Sequence, residues 1–130
     1  MDLAKYFDNR EGIGVLGTAD PGGKVDLAIY ARPHVIDDQT VAFIMGDRLS
    51  HDNVARNPHA AYLFLEQAEG YKGVRIHLTR TAEETDPKKI EAMRRRSRRD
   101  EDPAAKKAFL VHFRVDEVRP LVGSSAVPVQ

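Results

Sequence analysis

Cysteine is absent from this 130-residue chain, which excludes disulfide staples, thiolate nucleophiles and cysteine zinc sites. No apolar run approaches the ~20 residues of a membrane span, and the opening MDLAKYFDNREG has no signal-peptide core. The expectation is a soluble, cytoplasmic protein with no membrane partner. Twenty basic residues balance twenty acidic ones, which argues against general affinity for nucleic acid or membranes. A Walker loop, a serine-nucleophile motif and a defensible carboxylate pair are also missing. His34, His51, His59, His77 and His112 are scattered, and none forms a ligand pair with a carboxylate on one helix face. No metal ligand is assigned, although a haem ligand among them stays an open alternative.

What is present reads mostly as strand, in a chain long enough for one domain with its own core and without repeats or a dividing linker. Leu3, Tyr6 and Phe7 at helical spacing predict a short opening helix. IGVLGT reads as a strand and ADPGGK as a turn, where Pro and Gly supply the backbone angles. KVDLAIYA alternates, with Val25, Leu27 and Ile29 on one side and Asp26, Ala28 and Tyr30 on the other, until Pro33 interrupts it. DDQ turns, and TVAFIMG is apolar on both faces, as a buried strand would be. HAAYLFLE, GVRIHLTRTAEE and FLVHFRVDEV complete the set. In the second of these Val74, Ile76 and Leu78 point inward and Arg75, His77 and Thr79 outward. In the third Phe109, Val111, Phe113 and Val115 share a face. Six strands with short turns predict a mainly β fold with short helices, a six-stranded antiparallel barrel.

Asp86-Pro87 and Asp102-Pro103 each predict a helix start, an aspartate cap followed by proline at the first helical position. Residues 88–99 of the first hold seven basic side chains and one acidic, with Ile90 and Met93 as the apolar stripe. A solvated basic face is the plain reading and nucleic-acid contact the alternative. Without interleaved aromatics, nucleic acid is not the expected partner.

The stretch GDRLSHDNVARNPHAAYLFLE, residues 46–66, poses the functional question. With Ser50 as the helix cap, Leu49 and Val54 take the two positions of a hydrophobic staple. Asn57-Pro58 then stops the helix after barely two turns. Its first turn presents free N–H groups, with the Ser50 hydroxyl at the cap and the planar Arg48 guanidinium just upstream. That set suits an anion, phosphate above all. An ordinary capped helix with a solvated arginine is the competing reading on spacing alone.

The strand–turn–helix–strand unit ending in NVARNPHAAYLFLE resembles the FMN-binding split barrels related to pyridoxamine 5′-phosphate oxidase. The likeness covers nearly the whole chain: the early strand pair, the NP break, the long alternating strand after it and the final strand. It implies one split-barrel domain over residues 1–130, FMN as cofactor, and a homodimer with flavin in grooves between the subunits. The family holds the FMN phosphate on the loop and first turn before the NP helix, here Asp47, Arg48, Leu49 and Ser50, with Asn53 one turn on. Leu49 stands at a position usually basic, and Arg48 supplies charge from one residue earlier. The flavin ring would follow the second strand and its loop, Ala28, Ile29, Tyr30, Ala31, Arg32 and Pro33. Ile44, Met45 and Gly46 would approach the ring or the ribityl chain. Arg75 falls at or near a contact that the family takes from the opposite subunit. For Tyr30 an aromatic role at a sheet edge or subunit interface is the alternative.

FMN brings hydride and electron chemistry, and the protein supplies orientation and electrostatics. The resemblance implies an FMN-dependent oxidoreductase or electron carrier whose catalytic residues and electron donor are unassigned. It does not imply a true pyridoxamine-phosphate oxidase, because VRPLVGSSAVPVQ lacks that enzyme's substrate-binding arginine and histidine. Small members of the family also use deazaflavin or haem. The competing class is a non-enzymatic module, either flavin storage or sensing or nucleic-acid binding through 88–99.

Overall fold

Four of the six strand pairings in the sheet join strands that follow one another in sequence, and two do not. A computed structural model describes residues 1–97 and 107–123. It contains, in chain order, α1 (Leu3–Phe7), β1 (Gly12–Ala19), β2 (Val25–Ile29), β3 (His34–Asp37), β4 (Thr40–Gly46), α2 (Leu49–Arg56), β5 (His59–Glu66), β6 (Gly73–Glu84), α3 (Pro87–Ser97) and β7 (Ala108–Pro120). The strands form one sheet in the order β2-β1-β5-β6-β7-β4-β3, with every pairing antiparallel. This is the split-barrel arrangement, with seven strands where the sequence predicts six. The extra one is β3. Pro33 has no N–H to give a ladder, so the chain breaks there and re-pairs from His34 with β4.

Side chains alternating inward from β1, β4, β5, β6 and β7 build a single core. Its aromatics meet edge-on, Phe43 with Phe113 at 5.9 Å and Phe7 with Phe64 at 5.4 Å between ring centres, a favoured geometry for ring quadrupoles. Helix α1 stoppers one end. Its Leu3 and Phe7, four residues apart, are both buried, and Asp2 caps it by accepting from the Lys5 N–H. Tyr6 donates to Glu66 at 2.7 Å, and Arg10 bonds the other oxygen of that carboxylate at 2.9 Å. Burial, then the bond to Glu66, push the Tyr6 phenol above its ordinary range. The Tyr6 hydroxyl, then Arg10, hold the Glu66 carboxyl below its own.

Helix α3 covers the outer face of β4 and β7. Asp86 caps it through the Lys88 N–H at 3.0 Å, and Ile90 is buried against Ala42 and Leu110 with Met93 beside it. This explains why TVAFIMG is apolar on both sides: Val41, Phe43 and Met45 face the core while Ala42 and Ile44 face α3. The end of the basic 88–99 run and the expected helix start at Asp102-Pro103 lie outside the described residues.

On β2 the apolar side points out. Val25, Leu27 and Ile29 are 75%, 72% and 74% exposed, whereas Asp26 and Ala28 are half-buried on the side of β1 that carries Leu16.

Candidate functional site

Helix α2 begins two residues earlier than the sequence suggests. Arg48, in extended backbone, is the N-cap, and its side chain makes no capping bond. Ser50 is therefore the second helical residue, buried rather than capping. The staple is not made: Val54 is in the core but Leu49 is 54% exposed. The reason lies in a tight turn, where the Arg48 N–H is bonded back to the Gly46 carbonyl at 2.9 Å and starts the helix directly after β4. The uncapped first turn retains N–H groups for an anion, and Arg48 stands at its mouth. Asp52 adds negative charge to this turn, but Arg56 pairs with it at 3.0 Å.

Further along α2 the side chains fasten it to β1 and its turn. Asn53 is buried and its Nδ2 donates to the Thr18 hydroxyl at 3.0 Å, leaving its Oδ1 without a partner. Asn57, the C-cap, donates to the Asp20 carbonyl at 3.4 Å. On the opposite side, His51 lies with Nε2 2.6 Å from a Glu83 oxygen of β6. Its ring stacks on Phe109 of β7 at 3.8 Å and 9°. These partners lie 32 and 58 positions away in sequence, so no local pattern reveals them.

Helix α2 packs against β1, β2 and β4, so of the expected site Asp47, Arg48, Leu49, Ser50 and Asn53 lie beside the strands that carry Ala28, Ile29, Met45 and Gly46, while the link 30–33 runs on from β2 toward α1. Within this group several side chains are committed to the fold. Met45 is wholly buried in the core. Tyr30 packs edge-on against Phe43 at 5.8 Å, and its carbonyl accepts from the Tyr62 hydroxyl at 3.0 Å. Arg32 donates to the Phe7 carbonyl at 2.6 Å and so closes the C-terminal end of α1. Pro33 is buried. Ala31 is half-buried.

Arg75 is separate from that cluster. Its side chain donates to the Pro120 carbonyl at 2.9 Å and to the Gly123 carbonyl. In register it belongs to the row Ile29, Val15, Leu63, Arg75, Arg119 on the outer face of the sheet, three strands or about 14 Å from Ile29. Beside it lies an open groove of about 370 Å³ between β5, β6 and β7, lined by His59, Ala61, His77, Asp116 and Glu117 among others. Arg119 holds Glu117 through two bonds of 2.9 and 3.0 Å, and His77 lies 3.4 Å away.

Among the described residues no group of three or more His, Cys, Asp or Glu is arranged for a metal ion, and no helix is long and apolar enough to cross a membrane.

The sequence matches the family model for pyridoxamine 5′-phosphate oxidase over residues 2–121. No curated protein matches it significantly. Among solved structures, the fold is similar to an FMN-binding protein from Syntrophomonas wolfei subsp. wolfei, with TM-score 0.76 and 14% identity over 92% of this chain and 83% of that one. It is also similar to HupZ of Group A Streptococcus, with TM-score 0.73 and 17% identity over 97% of this chain and 96% of that one. An F420 reductase superimposes with TM-score 0.61 and 18% identity, covering 95% and 94% of the two chains.

Proposed function

We propose, from the premise that this chain belongs to the pyridoxamine 5′-phosphate oxidase family, that it is an FMN-binding oxidoreductase or electron carrier acting as a homodimer. The observation that carries this reading is the start of α2, an uncapped first turn with Arg48 at its mouth. The residues fit a phosphate: Arg48 offers a planar, permanently charged fork, and the turn offers backbone N–H donors. Leu49, exposed where the family commonly has a cation, leaves that fork as the principal charge. An apolar ring is matched by the open side chains of Leu27 and Ile29 on the outer face of β2.

FMN supplies hydride and single-electron chemistry when bound. The chain's own part is to bind, orient and exclude water. Arg48 and the first turn of α2 fix the phosphate end. The Tyr62 hydroxyl fixes the backbone at Tyr30, so the strand end beside the ring keeps its position. Met45 and Arg32, both expected to line the cofactor, act from behind: one fills the core and the other anchors α1.

The second subunit seats on the bare outer face of β2, β1 and β5. Val25, Leu27, Ile29 and Ile13 are more than half exposed and Leu63 is 36% exposed. In register they share one face of three neighbouring strands, an exposed apolar grouping of the kind found at interaction surfaces. Arg75 shares that face, which suits a contact made across the interface rather than within one chain.

FMN and riboflavin share ring and ribityl chain and differ in the phosphate, so titrating both ligands tests the site. Wild type should prefer FMN. Arg48→Ala should lose about 10- to 150-fold in FMN affinity, the worth of one charge-assisted hydrogen bond, and should keep its riboflavin affinity. Full retention of the FMN preference in Arg48→Ala would place the phosphate elsewhere.

A further inference from the structure

We infer that His51 is a positioning residue for the phosphate end of this site, clamping the first turn of α2 to the far side of the barrel. The inference rests on the flavin reading above and adds a residue from outside the family's binding motif. Helix α2 has only eight residues, too few to hold its own shape without tertiary contacts. Its tethers divide by side. Val54 enters the core, and Asn53 and Asn57 reach β1 and its turn, so all three secure the second half of the helix.

The first turn is Leu49, Ser50 and His51, and Leu49 is turned to solvent. His51 gives that turn its reach to β6 and β7, through the Glu83 bond at 2.6 Å and the parallel stack on Phe109 at 3.8 Å. Glu83 is an acceptor only, so the imidazole nitrogen facing it carries a hydrogen and donates. Arg80 lies 3.6 Å from the same carboxylate and helps to hold it. Phe109 is in turn flanked by the Lys107 ammonium at 5.9 Å. The contact is bidentate in character, since a hydrogen bond fixes the imidazole edge and a ring fixes its plane.

A phosphate bound by backbone N–H groups tolerates little misplacement of its donors, because a small displacement of a preorganised contact costs large factors. The Arg48 cap immediately precedes this turn. Freeing His51 therefore loosens Arg48 and the first N–H groups together. The flavin ring, placed along β2, has no part in the clamp.

The test uses the full chain with FMN and riboflavin as probes. His51→Ala should lower FMN affinity about tenfold and leave riboflavin affinity within twofold. Glu83→Gln, which keeps the acceptor but removes its charge, should give a smaller loss of the same kind. His51→Gln, which restores a donor without the ring, should recover part of the preference. A purely structural role predicts lower melting temperature with FMN and riboflavin affinities falling in parallel, and that result overturns the inference. So does an unchanged FMN preference in His51→Ala while wild type shows one. Should His51→Ala fail to fold, Glu83→Gln carries the same comparison. A wild type that prefers neither ligand ends the phosphate-site reading itself, and the clamp has then nothing to position.

Discussion

The sheet carries two apolar patches on its outer surface, and the chain treats them differently. On β4 and β7, Ala42, Ile44 and Leu110 lie beneath α3, with Ile90 driven in as the contact. On β2, β1 and β5, Leu27, Ile29 and Ile13 are covered by none of the described elements and remain mostly exposed. Both patches obey the same hydrophobic arithmetic, about 25 cal/mol for each Å² removed from water. The first gain is collected within one polypeptide and contributes to folding. The second is left uncovered by the described residues, which supports the reading of it as an interface.

The largest effect is expected at the open patch. On the proposed dimer, Leu27→Asp places a charge at the two-fold contact and removes two buried leucines per dimer. At about 1.5–3 kcal/mol for each leucine, the dimer should weaken by roughly 3–6 kcal/mol. Sedimentation should then report a monomer whose circular dichroism is unchanged. Association that survives this change would move the interface to another face. The covered patch should behave in the reverse manner. Ile90→Ala should cost about 2–4 kcal/mol in denaturant unfolding and leave the association constant alone. A shift in association with Ile90→Ala would mean that α3, and not β2, carries the contact.

A smaller effect separates both patches from the barrel's stoppered end. Tyr6→Phe removes one hydrogen bond to Glu66 and should cost about 1 kcal/mol. Its sign with pH follows from the two shifts. Glu66 is held below its ordinary value, so its contribution is present above the unfolded carboxylate range near ~4.3 and is lost as pH falls through the lower folded value. Tyr6 is raised, so its contribution is present below about 10 and is lost as pH rises toward the folded value. Tyr6→Phe should therefore flatten the stability profile at both extremes, as measured by melting temperature against pH. A profile parallel to wild type would assign the acid limb to other carboxylates.

Much of the fold was legible because its cues are local. The alternation of Val74, Ile76 and Leu78, the Asp86-Pro87 start and the Asn57-Pro58 stop each act within a few residues, and each appears in the structure. The direction of β2 was not legible. Alternation divides a strand into two faces but does not say which is inward, and here the apolar face is the outer one. The cap failed for a related reason. Serine is a strong N-cap by propensity, but the Gly46–Arg48 turn leaves β4 so sharply that the helix starts before Ser50 can serve. At the candidate site, Arg48 and its turn follow from spacing and resemblance together. Arg32 and Met45 drew attention by position, while their side chains are claimed by α1 and the core. His51 was passed over because everything it touches is distant in sequence.

The strand order has one more consequence. β2 and β3 are the two edges of the sheet, yet they are consecutive in the chain, so the four residues 30–33 bridge the open seam covalently. Elsewhere around the wall, neighbouring staves are joined by ladders of hydrogen bonds, each of which can fray and re-form. At the seam the joint is the polypeptide itself, pinned from inside by Tyr62 at Tyr30 and from α1 through Arg32. A circular permutant opened within 30–33 would keep every strand pairing and lose this hoop. The seam would then be free to gape on the side where the cofactor is expected, and the molecule would remain folded while losing its grip.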